Sequence, residues 1–180
     1  MMADGVQTQG RMERAMLEQA QAQLMEILGN IPNDLPLILF ATPLKNDLFS
    51  DAARKMIRGI RQLAPKVTLR EYDISHEMAK KWNAEHSPTL LIDPEHYNVR
   101  WLGAPIGEEA LTFIELIRMI GYRKSGISEE SRKVLQKIDS PRNIKVFVSP
   151  TCPYCPQQAV NALKAVVERP AAQRQHPKAA

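Results

Sequence analysis

Cysteine is scarce in this chain: 180 residues hold only two, Cys152 and Cys155. That excludes a framework of structural disulfides and a zinc site built from this chain's thiolates alone. Aromatic residues make up 6% of the sequence and are not interleaved with basic clusters, so the stacking surface of a nucleic-acid binder is missing. The longest apolar run, residues 35–41, falls far short of the roughly 20 residues a membrane-spanning helix needs. Residues 1–10 are polar and lack the apolar core of a secretory signal. Charge of one sign is also lacking. The net charge is only +4, and acids and bases interleave, as in Arg11, Glu13, Arg14 and Glu18. These absences argue against nucleic-acid and membrane partners and point to the cytoplasm. In that reducing compartment a cysteine pair is usually catalytic or metal-binding.

What is present is a regular alternation of helical and strand patterns. Residues 11–28 place Met12, Met16, Ala20, Leu24, Ile27 and Leu28 at helical spacing, with Gly29-Asn30 and Pro32 as the stop. The methionine-rich face (Met12, Met16, Met25) reads as core filler or a contact surface. Residues 35–40 read as a buried strand and 48–63 as a helix. Residues 67–74 alternate as a strand, 78–85 form a short helix, and 90–93 and 98–102 form an antiparallel strand pair. Residues 108–120 close with a strong helix. The order α-β-α-β-α-β-β-α implies an α/β fold with a mixed sheet flanked by helices.

After the connector Gly121-Tyr122-Arg123-Lys124-Ser125-Gly126 the pattern restarts. Ser128 is placed to cap a helix carrying Val134, Leu135 and Ile138. Residues 144–148 read as a strand and 156–167 as a helix. An offset of 107 residues sets Phe40 on Phe147, Thr42 on Ser149 and Pro43 on Pro150, the signature of an internal repeat. The expected organisation is a complete first fold at 11–123, the α-β-α start of a second at 127–168, and a disordered tail at 169–180. The second copy reads as cut short, so a truncated or shifted reading frame near Arg169 is expected. An unpaired sheet edge left by the missing half points to homodimerisation.

Cys152-Pro153-Tyr154-Cys155 lies where the second copy's strand hands over to its helix. A C-x-x-C at such a junction reads as a thiol–disulfide exchange centre. Unpaired N–H groups and the helix dipole stabilise a thiolate there, which makes Cys152 the attacking nucleophile and Cys155 the resolving thiol. Pro153 suits the first helical turn, where its missing N–H costs nothing. Half of an intermolecular zinc site remains an alternative, although His76, His86, His96 and His176 show no matching paired spacing. In the first copy Lys45-Asn46-Asp47-Leu48 occupies the corresponding place. Lys45 and Asp47 read there as a solvated helix start rather than a site.

Four pieces together resemble the thioredoxin superfamily, and within it the tandem-fold proteins. They are Ser149-Pro150-Thr151-Cys152-Pro153-Tyr154-Cys155-Pro156, Ser87-Pro88-Thr89, Gly103-Ala104-Pro105-Ile106-Gly107-Glu108 and the repeat itself. Two relatives are similar: glutaredoxin-like protein disulfide oxidoreductases and the N-terminal region of the alkyl hydroperoxide reductase flavoprotein subunit. The resemblance implies a thioredoxin-like fold, one complete copy plus a truncated second, with a cis proline at Pro88. It implies thiol–disulfide oxidoreductase activity through Cys152 and Cys155. Thr151, Pro153 and Tyr154 would then contact substrate, Tyr154 also tuning the pair.

The implied partners are protein disulfides. No cofactor is expected beyond the redox-active disulfide, and no metal. The alternative is an electron relay from a flavin reductase to a peroxiredoxin, in which FAD and NAD(P)H belong to a partner or a further domain. A non-catalytic fragment is the third reading. The first copy lacks thiols, as the flavoprotein's does, whereas Pro153-Tyr154 is nearer the glutaredoxin-like group.

Overall fold

The computed structural model describes residues 3–140, 142–149 and 151–169, with residues 3–13 and 17 described by their backbone only. Its centre is a four-stranded mixed sheet in the order β2-β1-β3-β4. β1 (Leu35–Phe40) pairs in parallel with β2 (Val67–Tyr72), Leu35 opposite Val67 and Phe40 opposite Tyr72. On its other side β1 runs antiparallel to β3 (Thr89–Ile92), which continues antiparallel to β4 (Val99–Leu102).

β1 is an unbroken apolar run because both of its faces are covered. Leu35, Leu37 and Leu39 enter the larger core with Leu90 and Ile92, while Ile38 and Phe40 enter a smaller one with Leu91. Side chains two apart share a face of a strand, so one strand feeds two cores. β2, at the sheet edge, turns Val67 and Leu69 to the larger core and Tyr72 to the smaller one, while Thr68, Arg70 and Glu71 are exposed.

Helices cover the larger core. α1 (Ala3–Gly29) contributes Leu28, α2 (Asp47–Leu63) contributes Ala53, Ile57 and Ile60, and α4 (Glu109–Tyr122) contributes Phe113, Leu116, Ile117 and Ile120. Phe113 is fully buried and meets Trp101 edge-on, with ring centroids 5.4 Å apart. α3 (Glu77–Trp82) covers the opposite face with Ala79 and Trp82. These elements agree with the expected order, their bounds shifting by at most two residues except in α1, which starts earlier than residue 11, and α3, which stops at Trp82 rather than residue 85. The methionine face of α1 is not core: Met16 and Met25 are 68% and 53% exposed, and Met12 lies outside the described side chains.

The restart after residue 123 is realised only in part. Ser128 caps α5 (Glu129–Gln136), its hydroxyl accepting from Ser131 N–H at 3.2 Å, and α6 (Cys155–Glu168) forms as expected. Residues 144–148 do not form a strand. Phe147 is 89% exposed, and Ile144, Val146 and Val148 are also turned to solvent. A strand-prone composition needs a partner strand to become a strand, and this segment pairs with none of the described strands. The tail at 170–180 lies outside the described residues.

Candidate active site

The helix that carries the cysteines is held by its apolar face. Ala159 and Val167 are buried, and Leu163 and Val166 pack on the main core, so α6 lies along α4. At one end Ser125 Oγ donates to the Glu168 carboxylate at 2.5 Å, and Arg132 Nε donates to its other oxygen at 2.6 Å. Both contacts hold the Glu168 carboxyl below the usual carboxylate range, the Ser125 hydroxyl more than the Arg132 guanidinium. Ser125 follows the C-terminus of α4 and Glu168 ends α6, so the two packed helices run in the same direction.

Cys152 and Cys155 form a disulfide with Cα atoms 5.5 Å apart. Cys155 opens α6, and its N–H donates to Cys152 Sγ at 3.2 Å. Tyr154, at the N-cap, makes no side-chain cap, and no acid lies in the first turn. The Cys152 sulfur therefore takes the place of the capping oxygen, at the positive end of an uncompensated helix dipole. The two cysteines are half-buried, whereas Thr151, Pro153 and Tyr154 are exposed, Tyr154 by 81%. Pro153 lies in the turn ahead of the regular helix, and the proline of the first turn is Pro156. The first free N–H of the helix is the one that Cys152 Sγ receives, which leaves Pro153 outside the helical turn that its lack of a donor would suit.

The Ser87–Pro88 peptide bond is cis, as expected. Pro88 is not brought to the cysteines by any described contact; its loop faces the start of α2. Ser87 Oγ accepts from Thr42 N–H at 2.9 Å, and Asn46 Nδ2 donates to the Ser87 carbonyl at 2.7 Å. An open groove of about 410 Å³ lies there, lined by Asn46, Phe49, His86, Pro88 and Leu102 among others. Asp47 supplies the first-turn acid of α2 and its carboxylate accepts from Leu44 N–H at 3.1 Å, the behaviour of a helix start. Among the described residues no three His, Cys, Asp or Glu side chains converge on a common point.

One buried acid carries no signal in the sequence. Glu109 is only 3% exposed, and neither carboxyl oxygen has a hydrogen-bond partner among the described residues. Burial pushes its carboxyl above the ordinary range, and the neighbouring Glu108 adds to the effect. The run Gly107-Glu108-Glu109 announces only a helix start, where acids are favoured in any case.

No protein-family model matches the chain, and neither does any curated protein. Solved structures do. A protein disulfide oxidoreductase from Aeropyrum pernix superposes with a TM-score of 0.71 at 23% identity, over 84% of this chain and 67% of that one. The alkylhydroperoxide reductase AhpF from Enterococcus faecalis gives a TM-score of 0.71 at 21% identity, over 83% of this chain and 73% of the other. The N-terminal domain of AhpF, solved separately, gives the same score at 22% identity. The chain thus has a thioredoxin-like fold, with a cysteine pair at disulfide distance in it.

Proposed function

We propose that the chain is a thiol–disulfide oxidoreductase whose working dithiol is Cys152 and Cys155. The observation that carries this reading is the Cys155 N–H aimed at Cys152 Sγ at an acid-free helix N-terminus. In the reduced protein the same donor and the dipole favour the Cys152 thiolate. That thiolate attacks one sulfur of a substrate disulfide, forming a mixed disulfide and expelling the other substrate sulfur as a thiolate. Cys155, deprotonated, then attacks Cys152 Sγ. The internal disulfide forms and the second substrate thiol leaves, two electrons having passed to the substrate. Thr151, Pro153 and Tyr154 stand exposed around the pair and form the surface on which a substrate rests. External dithiol regenerates the reduced form, so the exchange needs neither metal nor organic cofactor in this chain, and a reducing compartment suits it.

Turbidimetric insulin reduction with dithiothreitol tests the reading. Wild type accelerates precipitation, Cys152→Ser abolishes the acceleration, and Cys155→Ser accumulates a covalent mixed disulfide. A wild-type rate equal to the dithiothreitol background would sink the proposal.

A second reading is favoured by the likeness to the alkylhydroperoxide reductase AhpF and by Lys45 and Leu48 standing where a second cysteine pair would be. In it residues 11–123 are a redox-silent platform and 127–168 begin a second fold, whose pair relays electrons from a flavin reductase to a peroxiredoxin. FAD and NAD(P)H would then be held by a partner or further domain. Reduction of the Cys152–Cys155 disulfide by such a reductase with NADH, but not by reduced glutathione, would select this reading.

A further inference from the structure

Helix α3 is only six residues long, and its cap is an imidazole. His76 stands at the N-cap with extended backbone, φ −66° and ψ 148°, and its Nδ1 accepts from Met78 N–H at 3.1 Å. The common caps are serine, threonine, aspartate and asparagine, whose oxygens accept throughout the neutral range. A ring nitrogen accepts only while the ring is neutral with its proton on Nε2, because both nitrogens of the charged ring are donors. The ring lies against Tyr72, with centroids 4.7 Å apart, and Tyr72 stacks on Phe40 at 6.0 Å. The cap is thus seated on the smaller core, which α3 closes with Ala79 and Trp82.

We propose that His76 is a pH-sensitive latch: uptake of one proton by its ring releases the first turn of α3. Charging sets a ring N–H against the Met78 N–H and places a positive charge at the positive end of the helix. The titratable groups around the ring are Tyr72 of β2, Asp73 in the turn after it, and Glu77 and Lys80 of α3. Ser75 holds the Asp73 carboxyl below the usual carboxylate range, its hydroxyl first and its N–H second, so Asp73 stays charged while the ring titrates. Asp73, Glu77 and the Tyr72 ring face favour the imidazolium and Lys80 opposes it. They make the charged state accessible without restoring an acceptor at Nδ1. The two states are therefore neutral with the cap made, and charged with the cap broken. The other end of α3 is anchored separately. Asn83 N–H donates to the Ala79 and Lys80 carbonyls, and Arg100 Nη1 donates to the Asn83 carbonyl at 2.8 Å, which confines release to the first turn. The capping contribution is present above the titration of His76 and is lost as pH falls through it.

Nuclear magnetic resonance on the whole oxidised chain reads both events. The His76 Cε1–H shift follows charging of the ring. Exchange of the Met78 amide, corrected for its intrinsic pH dependence, follows release. Met78 protection should fall about fivefold on acidification, the loss of one cap. The fall should share the midpoint of the His76 shift, while the amides of β1 stay protected. His76→Asn supplies a cap that does not titrate and should make Met78 protection flat with pH. His76→Ala should show the low protection at every pH. The proposal is overturned if Met78 protection stays constant while the His76 ring titrates, or if His76→Asn loses protection at the wild-type midpoint. The wild-type comparison decides the matter by itself if a variant folds poorly. None of these readings involves a cysteine, so they stand apart from the insulin assay.

Discussion

Cys152 Sγ receives a backbone N–H that in most helices a serine, threonine or aspartate oxygen would take. The disulfide pair was legible because all its determinants are local: two cysteines three apart, flanking prolines and a helical pattern immediately after. Glu109 was not legible, since only the packing of the folded chain turns a surface-type acid into a buried one. Its raised carboxyl makes a prediction with a definite sign. A group whose pKa is raised by folding contributes stability below its unfolded pKa, and that contribution is lost as pH rises through the folded value. Glu109→Gln should therefore match wild type near about pH 4 and melt at a higher temperature at neutral pH. A melting difference that is flat with pH would show that the carboxyl is solvated. Glu168 should behave in the opposite sense, because Ser125 and Arg132 hold its carboxyl low. Its contribution is present above the unfolded carboxyl pKa and is lost as pH falls through the folded one. Glu168→Gln should then melt below wild type at neutral pH, with the gap closing in acid in the same titration.

At the scale of elements, two phenylalanines separate what packs from what does not. Phe113 of α4 is fully buried against Trp101, and its truncation to alanine should cost about 3–5 kcal/mol in a urea titration. Phe147, 89% exposed, should change stability by less than about 0.5 kcal/mol on the same substitution. Comparable losses at both positions would mean that 144–148 is a built strand after all. The sequence pattern treated Phe40 and Phe147 alike because it records composition and period, which both possess. It does not record pairing, which among the described residues only Phe40 has: β1 lies between β2 and β3, while 144–148 pairs with none of the described strands. Helices depend less on partners for their backbone hydrogen bonds, which is why α6 opens within one residue of the place the repeat gives it. Four-residue strands such as β3 and β4 were equally readable, since Pro94-Glu95-His96 marks the turn between them.

At the scale of the molecule, element order alone implied a mixed sheet under helices, and the thioredoxin-like architecture follows it. Less legible was how the parts share labour. The cis-proline loop is spent on the start of α2 through Ser87 and Asn46, while the cysteines ride on a helix docked against α4. In the proposed reading the α6 N-terminus activates Cys152, whose sulfur accepts the Cys155 N–H. The pH dependence of iodoacetamide alkylation at Cys152 in the reduced protein, read by mass spectrometry, tests that claim most directly. Activation by the helix start predicts a midpoint at least about one unit below the free-thiol value of about 8.5, with Cys155 alkylated far more slowly. A midpoint near about 8.5, or equal rates at the two cysteines, would contradict it.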